Sequence, residues 1–203
     1  MVCEIVVVLF IVVLFAYLRG RLSVDRPGKL QHVLEVIYDF VHASAEEVVG
    51  HLGPQYIAFF GTIFLFILCM NLIGIIPGFD SPTMYVMVPL GLAATTFLFY
   101  NGTGFREHGL GYLKHFIGPM LLLAPLMLPI EIISHLARPL SLTVRLFANM
   151  FAGEQVYLTF LQLTKVVVPV IFIGLHTFVS LLQAYIFMLL AMVYVGGAVS
   201  HEH

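Results

Sequence analysis

The sequence predicts an all-α polytopic membrane protein, with about five membrane-embedded helices and one amphipathic helix in the plane of the membrane. Of the 203 residues, 61% are hydrophobic and 10% are charged, whereas soluble domains are about 45–50% apolar and about 25% charged. The mean hydropathy is +1.03, and several apolar runs approach the roughly 20 residues that a spanning helix needs. Such a chain cannot cover itself with a water-compatible surface. This excludes a soluble enzyme, a nucleic-acid-binding protein and a disordered protein.

The first predicted span covers residues 1–18 and is followed by a basic cluster. Arg19, Arg21, Arg26 and Lys29 come directly after it, and the positive-inside rule places this cluster in the cytoplasm with the N-terminus outside. No basic residue precedes the apolar run and no small-residue cleavage site follows it. We therefore interpret it as a retained span and not as a signal peptide.

Residues 30–52 predict the in-plane helix. Apolar residues such as Leu34 and Val41 recur on one side of the helical period, while Glu35, Asp39 and Glu46 lie on the other. This amphipathic pattern carries too many charges for a span and predicts a helix in the cytoplasmic interface.

Four further segments complete the predicted topology. Residues 55–76 and 83–100 predict two spans, and a polar loop follows the second one over residues 101–116. Residues 118–164 contain no convincing polar loop, and as one helix they would be roughly 70 Å long, over twice the roughly 30 Å hydrocarbon core. This segment must tilt strongly, bend or fold back, and its prolines could supply bends. Residues 166–199 form the last span, and the tail returns to the cytoplasm.

A narrow polar stripe runs along the long segment. Ionisable groups at membrane depth are expensive and are functional-site hypotheses by default. At about 100° per residue, the stripe falls within an arc of roughly 80°. Arg138 could snorkel and the serines could bond to their own backbone, but Arg145 lies too far from either end to snorkel easily. The stripe consists of Glu131, Ser134, Arg138, Ser141, Arg145 and Asn149.

Arg145 is expected to be a permanent positive charge and not a proton relay, because arginine is effectively never deprotonated. In a low-dielectric site it favours the ionised form of a nearby carboxylate. No carboxylate lies within one helical turn of it in the sequence. Its counter-charge could therefore belong to another protein.

The last span has a polar line of its own, formed by His176, Ser180, Gln183 and Tyr194. A lone histidine in an apolar helix is often no more than a hydrogen-bonded core residue. If the two long segments form an antiparallel hairpin, however, Glu154 and His176 come close to level. Since histidine titrates near neutral pH, such a pair could relay protons.

These motifs resemble the subunit a family of the F-type ATP synthase membrane sector. The most specific motif is PLSLTVRLFANMFAGE at residues 139–154, which fits the family pattern P-[VL]-S-L-x-[VL]-R-L-F-[GA]-N-M-x-A-G-[EH]. NLIGIIP at residues 71–77, PGKLQ at residues 27–31 and QAYIFM at residues 183–188 match other parts of the family. The resemblance covers nearly the whole chain. Two features depart from the family pattern: the chain looks short before its first span, and Gly74 stands where some relatives carry an acid.

The resemblance implies roles for individual residues. Arg145 is similar to the essential arginine that faces the acidic residue of the rotating ring, and Arg138 and Tyr194 are supporting positions. Positions of the outer half-channel are matched by Asn149, Glu154, His176 and Gln183. Positions of the inner half-channel are matched by Glu131, Ser134 and Ser141.

The function implied is that of a stator that conducts protons and is not catalytic alone. Two offset half-channels would pass protons to and from carboxylates of the c-ring, and a strongly tilted C-terminal hairpin would lie along the ring. The expected partners are the c-ring, b-type peripheral stalk subunits, membrane lipid and protons, with no nucleic acid, cofactor or metal. The expected location is the bacterial inner membrane, with the N-terminus outside and the C-terminus in the cytoplasm.

Two other classes of function compete with this interpretation. A self-contained secondary ion transporter usually shows internal repeats and helices broken at corresponding positions, and neither is evident in the sequence. An intramembrane hydrolase would need a motif such as H-E-x-x-H or G-x-S-x-G, and the chain has neither.

Overall fold

A computed structural model describes residues 2–19, 28–76, 79–109, 124–163 and 167–199. Most of these described residues are helical and none of them is in a strand, which confirms the all-α fold class. The α-helices are α1 Val2–Arg19, α2 Lys29–Val49, α3 Ile57–Ile73, α4 Met87–His108, α5 Ala124–Leu163 and α6 Val167–Val199, and the 3-10 helices are Gly50–Tyr56 and Pro82–Met84.

Several predictions fall outside the described residues. They include the part of the basic cluster at residues 20–27, residues 77–78 after the second span, residues 110–116 of the predicted polar loop, the start of the long segment before residue 124, residues 164–166 where the two long segments meet, and the C-terminal tail.

Two helical segments of the described residues are long and apolar enough to cross a membrane. They are Lys29–Ile73, which joins α2, a 3-10 turn and α3, and Val170–Val199 within α6. Cys3–Tyr17 in α1 is a shorter apolar helix, and it exposes large apolar side chains such as Val12, Val13 and Phe15. The helices α4 and α5 carry more polar residues and do not meet the same test.

The α4 helix ends later than the predicted span. It continues through residues 101–108, which the sequence analysis assigns to a loop. The Asn101 side chain donates a hydrogen bond to the Phe97 carbonyl at 2.8 Å, and the Thr103 hydroxyl donates one to the Tyr100 carbonyl at 2.9 Å, so these polar residues bond back to the helix without breaking it. The helix ends at Gly109, whose φ of +55° favours glycine.

Helices α5 and α6 run antiparallel along each other. Residues later in α5 contact residues earlier in α6. The α5 helix is continuous through Pro129 and Pro139. The pairs are Arg138 with Tyr194, Met150 with Ser180, Gly153 with His176, and Phe160 with Phe172.

The centre of the core is one face of α6, which packs against α2, α3, α4 and α5. Small and flexible side chains line this face, so several helices can approach it closely. At Gly196, for example, a Cβ atom would lie 3.3 Å from the Val48 carbonyl oxygen of α2. Buried residues of the face include Ala184, Met188, Ala191, Met192 and Val195.

Candidate functional site

Arg145 lies on the exposed side of α5. Leu142 and Leu146, which precede and follow it, are buried at 2% and 1% exposure, whereas Arg145 itself is exposed. Its guanidinium makes no hydrogen bond or ion pair within the described part of the chain. A permanent cation in an apolar helix is therefore exposed, with no counter-charge among the described residues.

The surface beside Arg145 is built from small side chains. Ser141, Ala148, Asn149 and Ala152 are all exposed on α5. Neither Ser141 nor Ser134 makes a side-chain hydrogen bond within the described residues, so the alternative of back-bonded serines does not apply here. Small residues on a helix face allow another helix to approach the backbone closely.

Arg138 is held by aromatic rings. Its guanidinium carbon lies 5.3 Å from the Tyr194 ring centroid and 6.0 Å from that of Tyr100, within the range of cation–π attraction. In the same region, His135 Nε2 lies 3.0 Å from Asn101 Oδ1. Sequence analysis missed Tyr100, Asn101 and His135, because no spacing rule relates α4 to α5.

Glu131 and Ser134, the other two predicted residues of the inner half-channel, lie on the same helix as Arg145. Glu131 is half-buried and Ser134 is exposed. They lie N-terminal to Arg145, with Glu131 about 21 Å away along the helix axis. The predicted outer residue Glu154 lies on the other side of Arg145, about 14 Å away along the axis.

Glu154 and His176 line one small cavity between α5 and α6. The cavity has a volume of about 10 Å³ and is also lined by Gly74, Ile75, Tyr157 and Ile173, so it is at the lower limit for one water molecule. Glu154 Oε2 and His176 Nδ1 are buried and have no hydrogen-bond partner among the described residues. The two side chains therefore present unused acceptor or donor capacity to the same space.

Asn149 and Gln183, the other two predicted residues of the outer half-channel, do not line this cavity. Asn149 is exposed, whereas Gln183 is buried at 7% exposure. Because Met150 meets Ser180, Gln183 lies level with the turn of α5 that carries Arg145 and Asn149. The four residues predicted for the outer half-channel thus extend from the cavity towards the level of Arg145.

A second cluster of polar side chains was not predicted from the sequence. Asn71, Ser81 and Thr83 are fully buried and joined by hydrogen bonds. They lie beside Gly74 at the cavity. Within the described residues, no three His, Cys, Asp or Glu side chains gather as a metal site would require.

Comparison with known proteins gives one consistent result. The family model for the ATP synthase A chain matches residues 1–196. ATP synthase subunit a of Solibacter usitatus is 65% identical over 98% of this chain and 86% of its own length, and that of Koribacter versatilis is 51% identical over 98% and 82%. ATP synthase subunit a of Aquifex aeolicus is 42% identical over 94% of this chain and 92% of its own length. The chain therefore belongs to the ATP synthase subunit a family.

Proposed function

We propose that the protein is the stator proton channel of an F-type ATP synthase. It passes protons to and from carboxylates of a rotating c-ring, and it couples proton flow to rotation and ATP synthesis without being catalytic alone. The observation that carries this proposal is the exposed Arg145 cation, which has no partner within the described chain and lies between two polar groups on the same helix.

Arg145 has two roles in this proposal. Its fixed positive charge favours the ionised form of an arriving ring carboxylate, so the carboxylate releases its proton. The same charge opposes the passage of a proton directly between the two half-channels. Each proton that crosses 100 mV supplies about 2.3 kcal/mol, and a short circuit would dissipate this energy.

The small-residue face of α5 supports the c-ring as the partner. Ser141, Ala148 and Ala152 leave the helix backbone open to a neighbouring helix. A carboxylate on that helix can then approach Arg145 closely, in a site from which lipid and bulk water are excluded. The charge pair would satisfy the guanidinium, which has no partner among the described residues.

The outer half-channel is assigned to Asn149, Glu154, His176 and Gln183. The cavity at Glu154 and His176 supports this assignment, because it combines unsatisfied polar atoms with room for about one water molecule. Gln183, at the level of Arg145, would continue the path to the ring.

The inner half-channel is assigned to Glu131, Ser134 and Ser141. All three lie on the cytoplasmic side of Arg145 on α5 and are at least partly exposed. Arg138 and Tyr194 support this half-channel, since their contact fixes the spacing between α5 and α6.

The membrane arrangement follows from the same proposal. The chain is an integral protein of the bacterial inner membrane with about five membrane-embedded helices, and α2 lies in the cytoplasmic interface. The N-terminus is outside and the C-terminus is in the cytoplasm. The hairpin of α5 and α6 is strongly tilted so that α5 follows the curved ring, and b-type stalk subunits and lipid cover other surfaces.

The test is ATP-driven proton pumping by the whole complex in membrane vesicles. We expect Arg145→Ala to reduce pumping at least about 100-fold, because it leaves the ring carboxylate without its buried counter-charge. Arg106→Ala is the matched control, since Arg106 is an exposed arginine in the last turn of α4. Undiminished coupled pumping by the Arg145→Ala complex would refute the proposal.

A further inference from the structure

The loop that follows α3 is tied to two helices by buried polar side chains. Asn71 near the end of α3, Ser81 and Thr83 each have 0% exposure. None of the three side chains titrates near neutral pH. A fully buried polar group is costly unless it is hydrogen-bonded, so each of the three is expected to have a bonding partner.

Each of these side chains is bonded within the chain. The Thr83 hydroxyl donates to Asn71 Oδ1 at 2.7 Å, and the Asn71 amide donates to the Ser180 carbonyl of α6 at 3.2 Å. The Ser81 hydroxyl donates to the Met70 carbonyl at 3.1 Å and lies 2.7 Å from the Thr83 hydroxyl. These hydrogen bonds therefore link the loop to α3 and α6.

The cluster places Ser81 against the wall of the proposed outer half-channel. A Cβ atom on Gly74 would lie 2.7 Å from the Ser81 Cβ atom, so the loop rests directly on Gly74. Gly74 lines the same cavity as Glu154 and His176, and the Ser81 backbone lies close enough to the Glu154 carboxylate to interact with it electrostatically. If Ser81 moves, this wall of the cavity moves with it.

A second contact holds the exposed edge of the same loop. The Tyr85 hydroxyl donates a hydrogen bond to Asp80 Oδ2 at 3.3 Å. A tyrosine phenol is protonated at neutral pH, so Tyr85 remains a donor. The loop is thus fixed at its buried side by the cluster and at its exposed side by this pair.

We propose that Asn71, Ser81 and Thr83 form a positioning clamp, which holds the loop over residues 79–85 as the outer wall of the Glu154–His176 cavity. The inference rests on the proposed function of that cavity. The three residues carry no proton themselves. They act by keeping the Ser81 backbone beside Glu154, and so they set the surroundings in which Glu154 and His176 exchange protons.

The experiment uses the whole complex in vesicles, with proton flux driven by an imposed potential and the pH of the outer and inner faces varied separately. Thr83→Val removes the hydroxyl at nearly constant volume, and Thr83→Ser keeps it. Thr96→Val is the matched control, because Thr96 is also buried, at 1% exposure, and bonds only to the Leu92 carbonyl of its own helix.

We expect Thr83→Val to lower the flux at least about fivefold, the factor that corresponds to one hydrogen bond of about 1 kcal/mol. We also expect it to shift the outer pH of half-maximal flux, because Glu154, His176 and Tyr157 face the cavity, with Asp80 and Tyr85 beside it. The inner pH profile should stay unchanged. Thr83→Ser and Thr96→Val should match the unmodified complex on both faces.

An unchanged outer profile in an assembled Thr83→Val complex would overturn the clamp, as would equal shifts on both faces or an equal shift in Thr96→Val. If Thr83→Val does not assemble, Ser81→Ala decides the question, since it leaves the Thr83–Asn71 bond in place and still frees the loop from Met70. Failure of the proposed function is distinguishable, because Arg145→Ala would then leave ATP-driven coupled proton pumping by the complex intact.

Discussion

The polar cluster at Asn71 and the polar residues around Arg145 differ in how their bonding capacity is used. Asn71, Ser81 and Thr83 are fully buried, and each is bonded within the chain. Arg145 is exposed and makes no polar contact within the described residues. The buried atoms Glu154 Oε2 and His176 Nδ1 also lack a partner there.

We infer that this difference separates polar residues that build the protein from polar residues that serve its proposed function. A buried polar atom without a partner costs about 1–3 kcal/mol, so a fold that retains two of them in one cavity keeps them for water or for a proton. A cluster at the same depth whose side chains are each hydrogen-bonded within the chain is held in one geometry. We call the polar residues without a partner among the described residues, Arg145, Glu154 and His176, the open groups, and the bonded residues Asn71, Ser81 and Thr83 the closed groups. Open groups are therefore expected to control proton flux, and closed groups are expected to control geometry and stability.

Among substitutions that keep the charge or the shape of a side chain, the largest effect in the open group is expected from Arg145→Lys. Lysine keeps the positive charge but loses the planar fork that binds a carboxylate in a bidentate manner, and it is more strongly hydrated. Coupled proton pumping should fall about 10- to 100-fold, although the net charge is unchanged. Arg106→Lys in α4 is the control. Pumping above about half of the normal rate in the Arg145→Lys complex would show that charge alone is sufficient.

A smaller loss is expected from Glu154→Gln, which keeps the shape of the side chain but removes its acid–base function. We expect proton flux to fall about tenfold, with normal assembly of the complex. Gln155→Glu restores a carboxylate on the adjacent exposed position, outside the cavity, and should not rescue the flux. If Gln155→Glu restored the flux of the Glu154→Gln complex, a carboxylate anywhere near the outer surface would be sufficient for proton transport.

The next test narrows the cavity without changing its charge. At Gly153, a Cβ atom would lie 2.7 Å from His176 Nδ1, so Gly153→Ala must displace the imidazole ring. We expect proton flux to fall a few-fold, about 1 kcal/mol in the transfer step. Gly174→Ala is the control, because a Cβ there meets nothing within 4 Å. Equal flux in both variants would show that the position of the His176 ring does not matter.

How much of this arrangement the sequence predicts depends on whether the contact follows a helical period. Composition predicts the all-α class, and the regular step of a helix predicts the stripe at Arg145. Antiparallel pairing of two long helices also predicts that Glu154 lies level with His176. The Asn71–Thr83 bond depends instead on how the loop at residues 79–85 folds back, and the end of α4 depends on side chains that bond to their own helix.

The smallest effect is expected where a cation is already satisfied within the chain. The Arg138 guanidinium lies over the Tyr194 ring, so by the comparison above this pair belongs with the closed groups, although Arg138 shares a stripe with Arg145. Tyr194→Leu should lower the stability of the hairpin by about 0.5–1 kcal/mol, seen as a lower thermal unfolding midpoint of the detergent-solubilised complex. Tyr194→Phe keeps the ring face and should unfold like the unmodified protein. In an Arg138→Met background the Tyr194→Leu loss should disappear, because the cation–π pair is already absent. If Tyr194→Leu instead leaves the midpoint unchanged and reduces proton flux as strongly as Glu154→Gln, then Tyr194 acts in transport, and a satisfied cation is no guide to a structural role.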